Sequence, residues 1–166
     1  MMMTMMQWLK PGARAMARLL LAACATSALA GPVADRVQSQ SVLRVCVWPD
    51  YYGVTFRHPR TQQLGGIDID LSGELARDLK ARVEYVDSSF PTLIDDLNQD
   101  RCDVAMFAIG MLPQRMEKLA FTQPYMRSDI YGITTKTNTV IKQWADIDKP
   151  GVLVGVQAGT FMEPIM

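Results

Sequence analysis

Between residues 42 and 116 the apolar residues switch repeatedly between two periods, and this alternation limits the chain to few folds. Val42-Leu-Arg-Val-Cys-Val47 is rich in β-branched residues and reads as a strand. Leu71, Leu75 and Leu79, with Ala76 beside them, recur at helical spacing, so residues 71–80 are predicted to be an amphipathic helix with that stripe buried. Val83–Val86 is a short strand, and Phe90, Leu93, Ile94 and Leu97 repeat the helical stripe over residues 90–100. Val104–Ile109 is a third strand. It breaks at Gly110 and enters a helix through Pro113, whose fixed φ and missing N–H suit a first helical turn. Strand and helix alternating three times argue for an α/β fold, with a parallel sheet covered on both faces. Ligands in such sheets bind beyond the carboxyl ends of the strands, where Trp48, Tyr51, Gly110 and Arg115 fall. Arg115 lies in a first helical turn, where a permanently charged planar fork beside unpaired N–H groups is suited to a carboxylate. Its own neighbourhood fits an ordinary surface arginine equally well.

Charge and composition exclude several classes. With 17 basic and 17 acidic residues the chain has no net field to attract phosphate backbones, so no nucleic-acid partner is expected. Its 166 residues, 49% of them hydrophobic, suit one modest globular unit. Neither Cys46 nor Cys102 has a second Cys or a His at metal-ligand spacing, and His58, in Arg57-His58-Pro59-Arg60, belongs to a solvated loop. No metal or other cofactor is expected. Gly65-Gly66 lacks the context of a phosphate loop. Asp68 and Asp70 lack the companion oxygens of a calcium loop, so Asp70 is predicted to cap the following helix and both carboxylates to be solvated. Asp95 and Asp96 are placed on the wet side of their helix. The aromatic loop after the first strand fits stacking on a ligand and packing over the sheet edge alike.

The two ends are read separately. Lys10, Arg14 and Arg18 precede the apolar run Leu19–Ala25, and Ala28-Leu29-Ala30 supplies the small residues of a cleavage site, so residues 1–30 read as an export signal. Leu21-Ala22-Ala23-Cys24 offers the competing reading of a lipobox with Cys24 as a lipidated anchor. Residues 31–41 follow as a polar linker. Past Tyr125, Ser128–Thr135 and Val152–Val156 read as strands, Trp144–Ile147 as a short helical turn, and Gln157-Ala-Gly-Thr160 as a helix start.

An ordered set of segments resembles the type II periplasmic solute-binding proteins of amino-acid ABC transporters, family 3. The set is Leu43-Arg-Val-Cys-Val-Trp-Pro-Asp-Tyr51, Gly66-Ile-Asp-Ile-Asp-Leu71, Leu93-Ile94 with Leu97, Cys102-Asp-Val-Ala-Met106, Pro113-Gln-Arg115, Phe121-Thr-Gln-Pro-Tyr125 and Val154-Gly-Val-Gln-Ala-Gly-Thr160. The resemblance implies a type II periplasmic-binding-protein fold, in which two α/β lobes close on a small ligand. Residues 42–127 would form a nearly complete first lobe, 128–135 a hinge strand and 136–166 the start of a truncated second lobe. By the same resemblance Arg115 grips the ligand's α-carboxylate and the Gly110 backbone N–H assists. Tyr51 and Phe90 sandwich its side chain, Trp48 stands where many members carry an acidic or polar residue, and Thr160 adds carboxylate contacts from the second lobe. Phe107 and Ala108 replace hydroxyl residues common in amino-acid binders, which makes the pocket more apolar.

The implied function is a non-catalytic, monomeric periplasmic receptor that captures an amino acid for a membrane permease. Three alternatives accompany it. One is an accessory protein of a periplasmic quinoprotein dehydrogenase, and another a fragment too short to close on a ligand and so expected to bind weakly or not at all. The third is an enzyme such as a periplasmic cyclohexadienyl dehydratase, for which no catalytic motif appears in the residues. The resemblance also bears on Cys46 and Cys102. An oxidising compartment favours a disulfide. If the first and third strands are parallel neighbours level at Trp48 and Phe107, however, the cysteines are offset by three residues, about 10 Å at strand rise, and no well-formed bond is predicted.

Overall fold

The computed structural model describes residues 31–166; the stretch expected to be an export signal, with Cys24, lies outside them. The first regular element among the described residues is a helix, α1 (Pro32–Gln40), in place of the expected linker. Its only buried residue, Val37, packs on the core, and Arg36 pairs with the buried Asp103 carboxylate. A polar composition concealed an element held by one apolar contact and one ion pair.

Strand β1 (Val42–Val47) is followed by three short strands, β2 (Asp50–Tyr51), β3 (Thr55–Arg57) and β4 (Leu64–Gly65). These pair antiparallel in a small sheet. His58 is exposed at its rim, and its Nδ1 accepts the Arg60 and Thr61 N–H groups. Helix α2 (Ile67–Asp78), strand β5 (Arg82–Asp87), helix α3 (Leu93–Asn98), strand β6 (Val104–Ala105) and helix α4 (Pro113–Met116) complete the regular structure, apart from single 3-10 turns at Trp144–Asp146 and Glu163–Ile165. No helix among the described residues is long and apolar enough to cross a membrane.

The main sheet is parallel in the order β5-β1-β6, with Cys46 opposite both Val86 and Ala105. Because side chains alternate along a strand, β1 serves two cores at once. Leu43, Val45 and Val47 pack with Val37 and Ala76 on one face. Cys46 packs with Phe90, Leu93, Cys102 and Phe107 on the other. The expected α/β sheet covered on both faces is what these residues form.

Several local expectations are corrected. Helix α2 begins earlier than predicted, with Gly66 as its N-cap and the N–H of Asp70 donating to the Gly66 carbonyl, so Asp70 is not the cap. The fully buried row of α2 is Asp68, Ser72 and Ala76; Leu75 and Leu79 flank it, while Leu71 is 39% exposed. Asp96 is also buried, accepting from Ser88 Oγ at 2.6 Å, Thr92 Oγ1 at 3.0 Å and Arg101 Nη1 at 2.5 Å. Only Asp95 of that pair faces water. Ser128–Thr135 and Val152–Val156 form no ladder. A strand is held by bonds to a neighbour, neither segment has one among the described residues, and Ile133 and Leu153 stand 99% and 96% exposed. Gln157–Thr160 is a turn and not a helix start.

The largest correction is a disulfide between Cys46 and Cys102, with Cα atoms 5.6 Å apart. The strands are level as expected, but the strand-rise argument fails because β6 starts only at Val104. Residues 99–103 leave α3 as a turn that folds Cys102 over the sheet face on which Cys46 lies, within the same apolar cluster as Leu93 and Phe107.

Two predictions arise here. Gly66 has φ +129°, and a Cβ there would overlap the Val54 carbonyl group. Gly66→Ala should therefore lose about 1–3 kcal/mol to backbone strain alone, read as a lower urea midpoint. The second concerns Asp103. Burial pushes its carboxyl up, but side-chain and backbone hydrogen bonds from Arg44 and a side-chain bond from Arg36 outweigh this and hold it below the usual carboxylate range. A depressed folded-state value means stability present above the unfolded value, about 3.9, and lost as pH falls through the folded one. Urea midpoints should fall more steeply below about pH 4 in the wild type than in Asp103→Asn. Parallel profiles would refute this.

Candidate functional site

Every strand of the main sheet ends at the same crevice. Trp48 follows β1 directly, Tyr51 closes the next turn, Phe90 follows β5, and the loop Phe107–Gly110 follows β6. Arg44 and Cys46 share one face of β1 and Trp48 follows directly on its end, so an ion pair, the disulfide and an aromatic wall come in sequence along the chain. The Trp48 and Phe90 rings lie 5.4 Å apart, Trp48 and Tyr51 5.3 Å, and Phe90 and Phe107 5.1 Å, tilted or edge to face. These arrangements suit the quadrupoles of the rings and stiffen the wall.

Arg115 sits on α4, which starts with Pro113 as its first residue, as expected. Its side chain is not that of a surface arginine. It is 4% exposed, and its guanidinium lies 5.6 Å from the Phe90 ring centroid, within cation–π range. Nη1 donates to the Gly110 carbonyl at 2.9 Å and Nη2 to the Gly159 carbonyl at 2.6 Å. Burial lowers its pKa. Among the described residues no carboxylate pairs with it, so a buried cation is met only by neutral dipoles and a ring face. Such a group gains from an incoming anion.

A cavity of about 1550 Å³ opens over this region, and Trp48, Tyr51, Phe90, Ala108, Gly110 and Thr160 line it. Phe107 and Arg115 are not in its lining. Phe107 is fully buried against Phe90, and Arg115 bonds to the carbonyls of Gly110 and Gly159. The Gly110 carbonyl is taken up by Arg115. A Cβ on Gly110 would stand 3.0 Å from Phe161 Cδ2, so that ring closes on the loop. The Thr160 hydroxyl donates to the Gln157 carbonyl at 2.7 Å, within its own turn.

Two residues of the site escaped the sequence reading. Asp68, predicted to be solvated, is fully buried; it accepts the Ala108 N–H on Oδ2 at 2.7 Å and the Tyr125 hydroxyl on Oδ1 at 2.8 Å. Burial, then the hydrogen bond to Asp68 and its charge, push the Tyr125 phenol above its ordinary range. Ala108 has φ +50°, a left-handed conformation that costs a non-glycine residue about 1–2 kcal/mol. The Asp68 contact accompanies that turn, and β6 stops at Ala105, short of the predicted Ile109. The one sequence signal was a Gly-initiated helix whose row Asp68, Ser72, Ala76 is small and polar. No group of acidic, Cys and His residues among those described could hold a metal ion.

Residues 43–159 match the family model of bacterial extracellular solute-binding proteins, family 3. The chain is 34% identical over 149 residues to a cyclohexadienyl dehydratase of Pseudomonas aeruginosa, covering 88% of this chain and 54% of that one. It is 30% identical to a probable amino-acid ABC transporter-binding protein of Haemophilus influenzae, covering 75% and 48%. It thus spans about half the length of these curated relatives. Among solved structures it resembles an ancestral amino acid-binding protein described as a precursor of cyclohexadienyl dehydratase, with a TM-score of 0.72 and 32% identity over 80% of this chain and 58% of that one. An ancestral cyclohexadienyl dehydratase matches with a TM-score of 0.54 and 38% identity, over 56% and 38%. Since the match runs from β1 through the crevice and the Arg115 turn to Gly159, the chain belongs to the bacterial extracellular solute-binding proteins, family 3.

Proposed function

We propose that this chain supplies the carboxylate-gripping lobe of a periplasmic receptor that captures a small carboxylate-bearing ligand, an amino acid, for the permease of an ABC transporter. In this reading residues 42–127 are the gripping lobe, 128–135 the hinge, and 136–166 the beginning of the second lobe. The observation that carries it is Arg115: a nearly fully buried guanidinium with no acidic partner among the described residues, at the strand-end crevice beside an aromatic wall. A ligand carboxylate would displace the Gly159 carbonyl from Nη2 and convert a neutral contact into a charge-assisted one. Tyr51, Phe90 and Trp48 would cover the apolar part of the ligand, with Ala108, Gly110 and Thr160 bounding the rest. Phe107 would brace the wall from beneath.

A second reading is favoured by a specific observation, the 34% and 38% identities to a cyclohexadienyl dehydratase and its ancestral form. The two are separated on one preparation. Each of the twenty standard amino acids is titrated into the ¹⁵N-labelled chain while product formation from a cyclohexadienyl substrate is followed in parallel. The receptor reading expects saturable shifts at Gly110 and Arg115 with at least one amino acid and no turnover. Many turnovers per chain would replace it with the enzyme.

A further inference from the structure

The receptor reading leaves the buried carboxylate of Asp68 without a task. A carboxylate in the first turn of a helix ordinarily caps N–H groups of that same helix. Asp68 does not: both hydrogen bonds that its carboxylate accepts leave α2, and its partners come from two segments that reach the crevice separately. One is Ala108, on the loop after β6; the other is Tyr125, beyond α4. Both residues line the cavity.

The Ala108 contact has a reach beyond Ala108. Two residues further on, the Gly110 carbonyl accepts from Arg115 Nη1. The left-handed turn at Ala108 thus stands between the end of β6 and the carbonyl that fixes one arm of the guanidinium. We propose that Asp68 is the positioning residue of the ligand site: one carboxylate oxygen holds the Ala108 turn and the other the Tyr125 phenol, and together they set where Arg115 meets a ligand carboxylate. Asp68 does not touch the ligand. The part concerning ligand rests on the receptor reading; the part concerning Ala108 and Arg115 does not.

The chemistry distinguishes the variants. Alanine removes both acceptors. Asparagine keeps one acceptor oxygen, which can serve the Ala108 N–H, and its amide can face a Tyr125 hydroxyl turned to accept. Tyr125→Phe removes the phenol contact alone.

The test is amide hydrogen exchange and arginine Nε–H spectroscopy on the ¹⁵N-labelled full chain, without ligand. Asp68→Ala is expected to speed exchange at Ala108 by about 10- to 100-fold beyond any change at Val45 and Val47 in β1, and to move the Arg115 Nε–H signal. Asp68→Asn is expected to restore both, and Tyr125→Phe to leave Ala108 protected. Exchange at Ala108 that rises only in step with Val45 and Val47 would overturn the proposal, since it would mark a general loss of stability. So would an unmoved Arg115 signal. The wild-type chain tests the idea even if no Asp68 variant folds: Ala108 lies outside β6, and exchange of its amide at the unprotected rate would refute it. If these signals behave as expected while none of the twenty amino acids binds, the receptor reading fails and the positioning role of Asp68 stands.

Discussion

Reducing the Cys46–Cys102 bond is expected to remove about 4 kcal/mol of folding stability, the chain-entropy value for two residues separated by 56 positions. Against a typical total of about 5–15 kcal/mol, such a loss leaves a marginal fold. The bond joins the central strand to the turn before its later partner, so opening it frees the intervening chain, from β2 through α3, from a constraint that acts mainly on the unfolded ensemble. Both cysteines are buried, at 0% and 2% exposure, so a reductant meets the bond only when the structure opens. Urea unfolding of oxidised chain and of Cys46→Ala/Cys102→Ala should give extrapolated unfolding free energies differing by at least that energy, with a larger m-value for the variant, whose unfolded state is more open. Labelled thiols at Cys46 or Cys102 in the denatured, unreduced chain would contradict the bond itself.

The second large effect is at Arg115. Arg115→Ala is expected to weaken amino-acid binding by about 2–5 kcal/mol, the range for removing one partner of a buried, hydrogen-bonded charge pair. At the upper end no binding would be detected. Arg115→Lys should retain part of the affinity, because a point charge survives but the planar fork that can hold a carboxylate in two bonds does not. The guanidinium also holds the Gly110 and Gly159 carbonyls, so the variants should lose some stability too, and thermal unfolding measured beside the titrations separates the two. Unchanged affinity in Arg115→Ala, for an amino acid the wild type binds, would remove the proposed mechanism.

How much of this could be read from the residues depends on how far away the partners are. β1, β5, the entry through Pro113 and the parallel arrangement were legible, because each follows from apolar period or local backbone chemistry within a short window. Arg115 could be placed at a strand end, although only the fold shows that it is buried. Asp68 and Asp96 were misread. A buried carboxylate looks like a solvated one until its donors are known, and the donor to Asp68 Oδ2 lies 40 residues away. The disulfide was missed because strand rise was carried back from Phe107 to Cys102, although β6 starts only at Val104 and Cys102 lies in the turn before it. Ser128–Thr135 and Val152–Val156 have strand composition without strand structure, since β-propensity describes a surface that must still find a neighbour.

The order β5-β1-β6 has a consequence for how the chain is made. Synthesis runs from the N-terminus, so the middle strand of the sheet is its oldest. β1 carries apolar core residues on both faces, Leu43, Val45 and Val47 on one and Cys46 on the other, and is open on both edges until β5 arrives at Arg82, with one edge open until β6 arrives at Val104. An unpaired apolar strand is a template for wrong pairing. The nascent chain is thus most exposed to misassembly at its beginning, and the last residues to reach the sheet end that exposure.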